Sequence, residues 1–357
     1  MIKKECFTAE WIEQVSSELH YNDKNLIEKV IRALSLLEML VKAGCPLVFK
    51  GGTALMLILG KSAHRLSIDI DLICPPGTNI EDYLKSFADF GFINLELVER
   101  KQRDDADIPK SHSKFFYQIA YRNDTDAQSY ILLDVLYEDI HYFRTQQIAI
   151  NCPFIRLEGK PLMVTVPSAE DILGDKLTAF APNTTGIPYY KNGRSCSMEI
   201  AKQLYDVGRL FENVSDLQIT KEAFRKIAVV ELSYRSFGTD IGQVFNDIRQ
   251  TALCISTRGK AGEGDFDLIQ DGIIRVKSFM YKQRYLIDHA IIDAARAAYL
   301  ATLIEKGINE IESYSNNPAD IKDIVIRPSL PNKLNKLRSN LPEAYYYWAK
   351  TSELLEA

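Results

Sequence analysis

Two aspartates one residue apart, Asp69 and Asp71, are residues whose type and spacing could do chemistry. They lie in the run LSIDIDLI, which predicts a strand, and side chains two apart on a strand project to the same face. Two adjacent carboxylates repel each other unless a cation lies between them, and hard cations such as Mg²⁺ prefer oxygen ligands. The spacing alone leaves two interpretations open, a divalent metal site and a solvated outer face of a strand.

A third acid interrupts an apolar run further along the chain. Asp134 lies in YILLDVLY, a predicted strand whose other residues are almost all apolar. Because an unpaired charge buried there would be costly, we expect it to have a partner. If this strand neighbours the one that carries Asp69 and Asp71, the three acids form the two-metal arrangement used for in-line phosphoryl or nucleotidyl transfer. The alternative is a surface-facing aspartate on an edge strand.

A glycine turn precedes the aspartate pair. Gly51, Gly52 and Thr53 follow a short apolar strand that ends at Lys50, and they open a predicted helix over residues 54–60. Glycines in such a turn let backbone amides approach a phosphate, and the helix N-terminus adds partial positive charge. Most Gly-Gly turns only reverse the chain, and the Walker pattern is absent, so the turn by itself is weak evidence for phosphate binding.

The runs FKGGTAL and RLSIDIDL together resemble the signature of the AbiEii/AbiGii toxin-type nucleotidyltransferases, which include MenT-like toxins and fall in the DNA polymerase beta-like superfamily. The resemblance covers residues 50–210. It implies a nucleoside triphosphate substrate and a Mg²⁺ cofactor, with Mn²⁺ as an alternative. The nucleotide-binding residues that it implies are Lys50, Gly51, Gly52, Thr53, Arg65 and Ser67. The metal ligands that it implies are Asp69, Asp71 and Asp134.

The same family carries a lysine helix and a later aspartate, and the runs DKLTA and KQLYDV are similar to both. The resemblance assigns Lys176 to the nucleotide phosphates and Asp206 to a catalytic or positioning role. Spacing alone offers a simpler explanation. Lys202 and Asp206 lie four residues apart on a predicted helix over 198–211, where an i,i+4 salt bridge would suffice.

The five histidines add little to this site. They show no paired ligand spacing, and we expect none of them to be a strong catalytic candidate. His112 falls in the polar segment KQRDDADIPKSHSK, which predicts a loop between two strands.

Hydrophobic periodicity predicts two domains of different character. The first contains an amphipathic helix over residues 22–43, and strands alternate with helices in a pattern typical of a mixed sheet. Its predicted strands are 46–50, 66–74, 93–99, 115–121 and 130–137, with further helices at 54–60 and 80–90. We therefore expect an α/β (α+β mixed sheet) nucleotidyltransferase domain with N-terminal helices at 1–165, followed by a mainly α-helical domain at 166–357.

Composition limits the partners and the compartment. At 357 residues, with 46% hydrophobic and 25% charged residues, the chain is an ordinary globular protein. The net charge of −5 gives no general attraction to nucleic acid, so an RNA partner needs a local basic surface. The six cysteines include no C-x-x-C pair, which argues against structural zinc and a disulfide scaffold and fits a reducing cytoplasm. Without a run of roughly 18 apolar residues, no membrane span is expected.

The resemblance predicts transfer of a nucleoside monophosphate to RNA, at the 3′ end of a tRNA, by the toxin of a type IV-like toxin–antitoxin pair with a cognate antitoxin. Two alternatives stay open: a small-molecule or protein acceptor, and a nucleotide-binding module that has lost catalysis. The candidates for contact with RNA are basic side chains in two segments. They are Lys191, Arg194, Lys322, Arg327, Lys333, Lys336 and Arg338.

Overall fold

The structure is a computed structural model that describes residues 1–97, 110–121, 127–214, 216–235, 238 and 240–357. The end of the predicted strand 93–99 and the start of the polar segment around His112 lie outside these residues. The chain forms two compact units, Met1–Ser168 with Ser278–Arg284, and Ala169–Lys277 with Tyr285–Ala357. Among the described helices, none is long and apolar enough to span a bilayer.

The first unit is built on a mixed sheet, which confirms the predicted fold class. The strands of this sheet are β1 (Val48–Lys50), β2 (Ile70–Cys74), β3 (Asn94–Leu97), β4 (Lys110–Gln118) and β5 (Gln128–Tyr137). Their order is β1-β2-β5-β4-β3, with β2 and β5 parallel and the other pairs antiparallel. A separate antiparallel pair consists of β6 (Thr145–Ala149) and β7 (Met163–Pro167).

Three helices complete this unit: α1 (Ala9–Glu18), α2 (Lys24–Lys42) and α3 (Gly51–Leu59). The predicted helices 22–43 and 54–60 correspond to α2 and α3. The predicted helix 80–90 is wrong, because that segment forms two short 3₁₀ turns at Ile80–Tyr83 and Phe87–Phe90. Its core-packed apolar residues have the spacing of a helix, so periodicity alone does not distinguish the two turns from one helix; they are Ile80, Tyr83, Leu84, Phe87 and Phe90.

The sheet has one buried face and one open face. Along β5, Ile131, Leu133 and Val135 are buried and join α2 in one apolar cluster, whereas the alternate residues are partly or largely exposed. Strand alternation therefore places Asp134 on the open face of a central strand. This placement excludes the edge-strand alternative for Asp134.

Strand β2 is shorter than the sequence predicts. It begins at Ile70, because the preceding residues pair with a segment from late in the sequence. The backbone N–H of Leu66 donates to the carbonyl of Phe279 at 2.8 Å, and Arg65 forms a β-bridge with Met280. The segment Ser278–Arg284 thus belongs to the first unit and fixes the chain just before Asp69.

The second unit is mainly helical. Its helices are α4 (Ala169–Ala179), α5 (Ser197–Phe211), α6 (Leu217–Tyr234), α7 (Ile241–Ser256), α8 (Phe266–Val276), α9 (Ile287–Lys306), α10 (Leu337–Asn340) and α11 (Pro342–Glu356). A small hairpin, β8 (Tyr190–Lys191) and β9 (Arg194–Ser195), lies between α4 and α5 in the sequence. Most of α9 is buried, and its many alanines allow α5, α7 and α11 to pack closely around it.

A buried ion pair ties α2 to the sheet and supports a stability prediction. Arg32 lies 3.4 Å from Glu28 and donates to the carbonyl of Gly91, while Glu28 accepts from the backbone N–H of Ala120 at 3.1 Å. We expect Arg32→Met to lower the free energy of unfolding by about 3–5 kcal/mol, because Glu28 would stay buried without its cation. Urea unfolding measures the loss.

The double variant Glu28→Gln/Arg32→Met is the matched control for this prediction. It removes both charges, so most of the lost stability should return. If Arg32→Met lowers the free energy of unfolding by less than about 1 kcal/mol, the pair of Arg32 with Glu28 contributes no more than an exposed ion pair, and the prediction is wrong.

Candidate active site

A row of charged side chains crosses the open face of the sheet. Asp71 on β2 lies in register with Asp134 on the parallel strand β5, and with Lys50 on the antiparallel strand β1. Residues in register on neighbouring strands project to the same face, so these three side chains are direct neighbours. Asp69 lies one residue before β2 and is partly exposed, like Asp71 and Asp134. The structure therefore brings two of the three predicted carboxylates, Asp71 and Asp134, together on the open face, and Asp69 lies two residues before Asp71.

The glycine turn lies against this row. Gly51 has a φ of 78°, and a side chain there would collide with the carboxylate of Asp71. A Cβ atom at Gly52 would lie 2.7 Å from the Ser67 hydroxyl and 2.9 Å from the Arg65 guanidinium. Only glycine permits both the left-handed backbone and the close approach at residue 51. The N-terminus of α3, with its partial positive charge, is thus held directly beside Asp71.

Thr53 connects this turn to the aspartate segment. Its side chain is buried, and its hydroxyl donates to the carbonyl of Asp69 at 2.7 Å. This bond fixes the backbone from which the Asp69 carboxylate projects. Arg65 is also buried and donates to the carbonyl of Leu66 at 3.0 Å. Both side chains therefore support the position of the site.

His112 belongs to the site, although sequence reasoning did not select it. It lies on β4 in register with Asp134, and its Nδ1 is 2.5 Å from Asp134 Oδ1. Since a carboxylate accepts, Nδ1 carries the proton of this bond. The expectation of a loop at this position is wrong, because β4 begins at Lys110 and its polar residues pair with β5. No alternation of polar and apolar residues marks the first half of this strand, so its pairing with β5 is visible only in the structure.

Lys29 of α2 is a second residue that sequence reasoning missed. Its ammonium lies 5.5 Å from the ring centre of Tyr130, which is on β5 near the start of β2. Burial lowers the pKa of Lys29, and the charge of Asp69 opposes that shift. The half-buried ammonium of Lys29, on α2, is therefore close enough to Asp69 to interact with its charge. Nothing in the local sequence distinguishes it from the other lysines of an amphipathic helix.

The donor set fits a divalent cation of the Mg²⁺ type. Asp71 and Asp134 present carboxylate oxygens side by side, and His112 occupies one oxygen of Asp134. Within the described part of the chain, no three His, Cys, Asp or Glu side chains are grouped closely enough to hold a metal without other ligands. Mg²⁺ usually takes one or two carboxylates and completes its shell with waters and substrate phosphates. The residues present match that mode of binding.

Lys176 and Asp206 form a buried ion pair in the second unit. Lys176 Nζ lies 3.0 Å from Asp206 Oδ2 and 2.9 Å from Gln203 Oε1, and the two charged side chains are 8% and 2% exposed. The pair joins α4 to α5. Asp206 therefore pairs with a lysine from another helix. Its buried charge has a partner without an i,i+4 bridge to Lys202.

Comparisons with known proteins give a family model and several solved structures that are similar to this chain. A family model described as nucleotidyl transferase AbiEii toxin, type IV TA system, matches residues 34–271, from α2 to α8. JHP933 from Helicobacter pylori is 17% identical, with a TM-score of 0.42 over 79% of this chain and 94% of that chain. MenT4, a nucleotidyltransferase toxin from Mycobacterium tuberculosis, is 12% identical, with a TM-score of 0.46 over 82% and 89%. A comparison with curated protein sequences gives no match.

The bond between His112 and Asp134 supports a prediction about metal affinity. We expect His112→Leu to weaken Mn²⁺ binding by about 10- to 100-fold, because Asp134 would lose the partner that orients it. Titration calorimetry with Mn²⁺ measures the affinity, and thermal unfolding reports whether the sheet is intact. His20→Asn, at an exposed position with a φ of 52°, is the control. Unchanged Mn²⁺ affinity in a folded His112→Leu protein would contradict the assignment.

The buried pair in the second unit supports a prediction with two separable effects. Lys176→Ala should lower the free energy of unfolding by about 3–5 kcal/mol, because Asp206 would be buried without a cation. It should also weaken nucleotide binding if Lys176 contacts the phosphates.

The double variant Lys176→Met/Asp206→Asn separates the two effects. It should recover most of the stability but not the nucleotide affinity, which titration with a nonhydrolysable triphosphate measures. Nucleotide affinity equal to that of the wild-type protein in the double variant would leave Lys176 with a structural role only.

Proposed function

We propose a specific reaction for this chain, which belongs to the AbiEii family of nucleotidyltransferase toxins of type IV toxin–antitoxin systems. Membership makes the protein a nucleotidyltransferase, with a nucleoside triphosphate as substrate, and implies an antitoxin as partner. We infer that it transfers a nucleoside monophosphate to RNA, at the 3′ end of a tRNA, with a divalent metal. Mg²⁺ is the metal that we propose, with Mn²⁺ as a substitute.

The observation that carries the proposal is the register of Asp71 with Asp134 beside the N-terminus of α3. In this proposal, the backbone amides at Gly51 and Gly52 and the Lys50 ammonium bind the triphosphate, whose negative charge the helix N-terminus also favours. Asp71 and Asp134 hold the metal, with His112 orienting Asp134, and waters and substrate phosphates complete the shell. The assignment of Asp69 as a third ligand stays a prediction. When bound, a divalent metal neutralises phosphate charge and favours in-line displacement.

The residues of the chain then have two tasks in the reaction. They hold the α-phosphate in line between the acceptor hydroxyl and the departing pyrophosphate, and they keep this geometry rigid. Rigidity comes from two contacts, since the Thr53 hydroxyl bonds to the carbonyl of Asp69 and the carbonyl of Phe279 accepts from the backbone N–H of Leu66. The assignment of Lys176 to the nucleotide phosphates stays a prediction.

The basic side chains predicted to contact RNA differ in whether they are already bonded within the protein. Arg327 lies 3.7 Å from both Glu353 and Glu356, and Arg338 donates to the carbonyls of Ile321 and Lys322. These two arginines hold the C-terminal segment together. Lys333 likewise donates to the carbonyl of Lys260.

Lys191 and Arg194 behave differently. Both are exposed, and neither forms an ion pair with any described acidic residue. Lys322 and Lys336 are exposed as well. These four cations best support an RNA acceptor, because a net negative chain needs a local basic surface to bind nucleic acid.

Incubation with each labelled nucleoside triphosphate, Mg²⁺ and total cellular RNA tests the reaction. We expect label in RNA of tRNA size. Because Asp71 would contact the metal directly, we expect Asp71→Asn to reduce transfer by more than the loss of a residue that only orients a metal ligand, which costs about 10- to 100-fold. Asp139→Asn, an exposed acid just beyond β5, is the matched control and should retain full transfer.

Two results would contradict parts of the proposal. Full transfer by a folded Asp71→Asn protein would exclude Asp71 as a metal ligand. Label in a small molecule or a protein, with none in RNA, would replace the acceptor and leave the nucleotidyltransferase assignment in place.

A further inference from the structure

The hairpin of the second unit presents two cations side by side at an exposed tip. Its turn consists of Asn192 and Gly193, whose φ angles of 52° and 73° are both left-handed. An Asn-Gly turn with two positive φ angles is the preferred connection for a two-residue hairpin, so the tip has a defined shape. Lys191 and Arg194 pair directly across the two strands.

This cross-strand pair is unfavourable unless an anion binds. Like charges directly opposite each other on neighbouring strands destabilise a hairpin. No described acidic side chain forms a salt bridge with Lys191 or Arg194. An Arg fork beside a Lys ammonium matches a phosphate group in charge and in hydrogen-bond donors. The tip therefore matches a phosphate group in charge and in donors.

A cleft of about 760 Å³ lies at the base of the same hairpin. Tyr190, 58% exposed, forms one wall, and Phe266, Arg258 and Asp267 are among the residues that line the rest. Exposed aromatic side chains at a concave surface provide platforms on which nucleic acid bases stack. The cleft thus offers an aromatic surface next to the phosphate-binding tip.

The charges inside the cleft favour a base over a phosphate. Arg258 is paired with Asp288 at 2.9 Å, and the Asp265 carboxylate caps α8 by accepting from the backbone N–H of Leu268. The remaining acid, Asp267, is exposed and would repel a phosphate, whereas it can accept a hydrogen bond from the amino group of a base. Phosphates are therefore expected on Lys191 and Arg194, outside the cleft.

We propose that the Tyr190 cleft and the Lys191–Arg194 pair together bind the unpaired end of an RNA acceptor. One base stacks on Tyr190 inside the cleft, and the phosphates next to it contact the two cations. Successive strand residues project to opposite faces, so the RNA strand passes around the edge of the hairpin from the ring to the cations. This inference rests on the proposed RNA acceptor and assigns the surface that recognises it.

Fluorescence anisotropy with a short labelled single-stranded RNA tests the stacking. Tyr190→Ala should weaken binding by about 5- to 150-fold, the range that loss of one stacked base produces. Tyr190→Phe should restore most of the affinity, because it keeps the aromatic face. A blunt RNA duplex, which presents no unpaired base, should bind more weakly and should not respond to Tyr190→Ala.

The salt dependence of RNA binding tests the cation pair. Lys191→Gln/Arg194→Gln should lower the slope of log affinity against log salt by about 1–1.5, as expected for two phosphate contacts of a single strand. Arg275→Gln/Lys306→Gln is the matched control, because it removes the same net charge from exposed positions of the same unit.

The outcomes distinguish this inference from the proposed function. If the wild-type protein labels RNA, but the hairpin variants bind and label it like wild type, this inference alone is wrong. If the wild-type protein labels no RNA, the proposed acceptor is wrong and this inference fails with it. Loss of antitoxin binding in the hairpin variants, without any change in RNA binding, would instead make the hairpin a protein-binding surface and overturn the inference.

Discussion

Asp71 and Asp134 place two negative charges in register on neighbouring strands, where like charges repel unless something opposes them. Much of the first unit is arranged around this constraint. Lys50 lies in register on the other side of Asp71, the N-terminus of α3 approaches at Gly51, and His112 donates to Asp134. These groups place a cation, a helix N-terminus and an N–H donor next to the two carboxylates.

The charged side chains of the open face keep their positions because the opposite face of the sheet packs on the core. The buried face packs on α2, whose ion pair between Arg32 and Glu28 reaches the carbonyl of Gly91 and the amide of Ala120. Close packing of this kind leaves the strands little room to move relative to α2. The open face can therefore carry several charged side chains, because the apolar face supplies the stability.

Buried polar groups recur in the second unit with a different role. Asp293 of α9 is buried and lies 3.3 Å from Arg296 and 3.4 Å from Arg209, and Arg296 also pairs with Glu212 and Glu343. Burial raises the pKa of Asp293, while the two arginines oppose that shift. Such a network is costly if any partner is lost, so it fixes how α5, α9 and the start of α11 pack. The pair of Lys176 with Asp206 sets α4 against α5 in the same way.

The sequence by itself determined the features that depend on local periodicity. The apolar run YILLDVLY predicted the strand that carries Asp134, helical spacing predicted α2, the glycine turn predicted α3, and that turn with the aspartate pair indicated the family. Only the tertiary structure decided which elements meet. It paired His112 with Asp134, Lys176 with Asp206, and Leu66 with Phe279. The physical reason is that periodicity specifies which face of an element is apolar, whereas contacts between residues far apart in sequence depend on the strand order and helix packing of the whole chain.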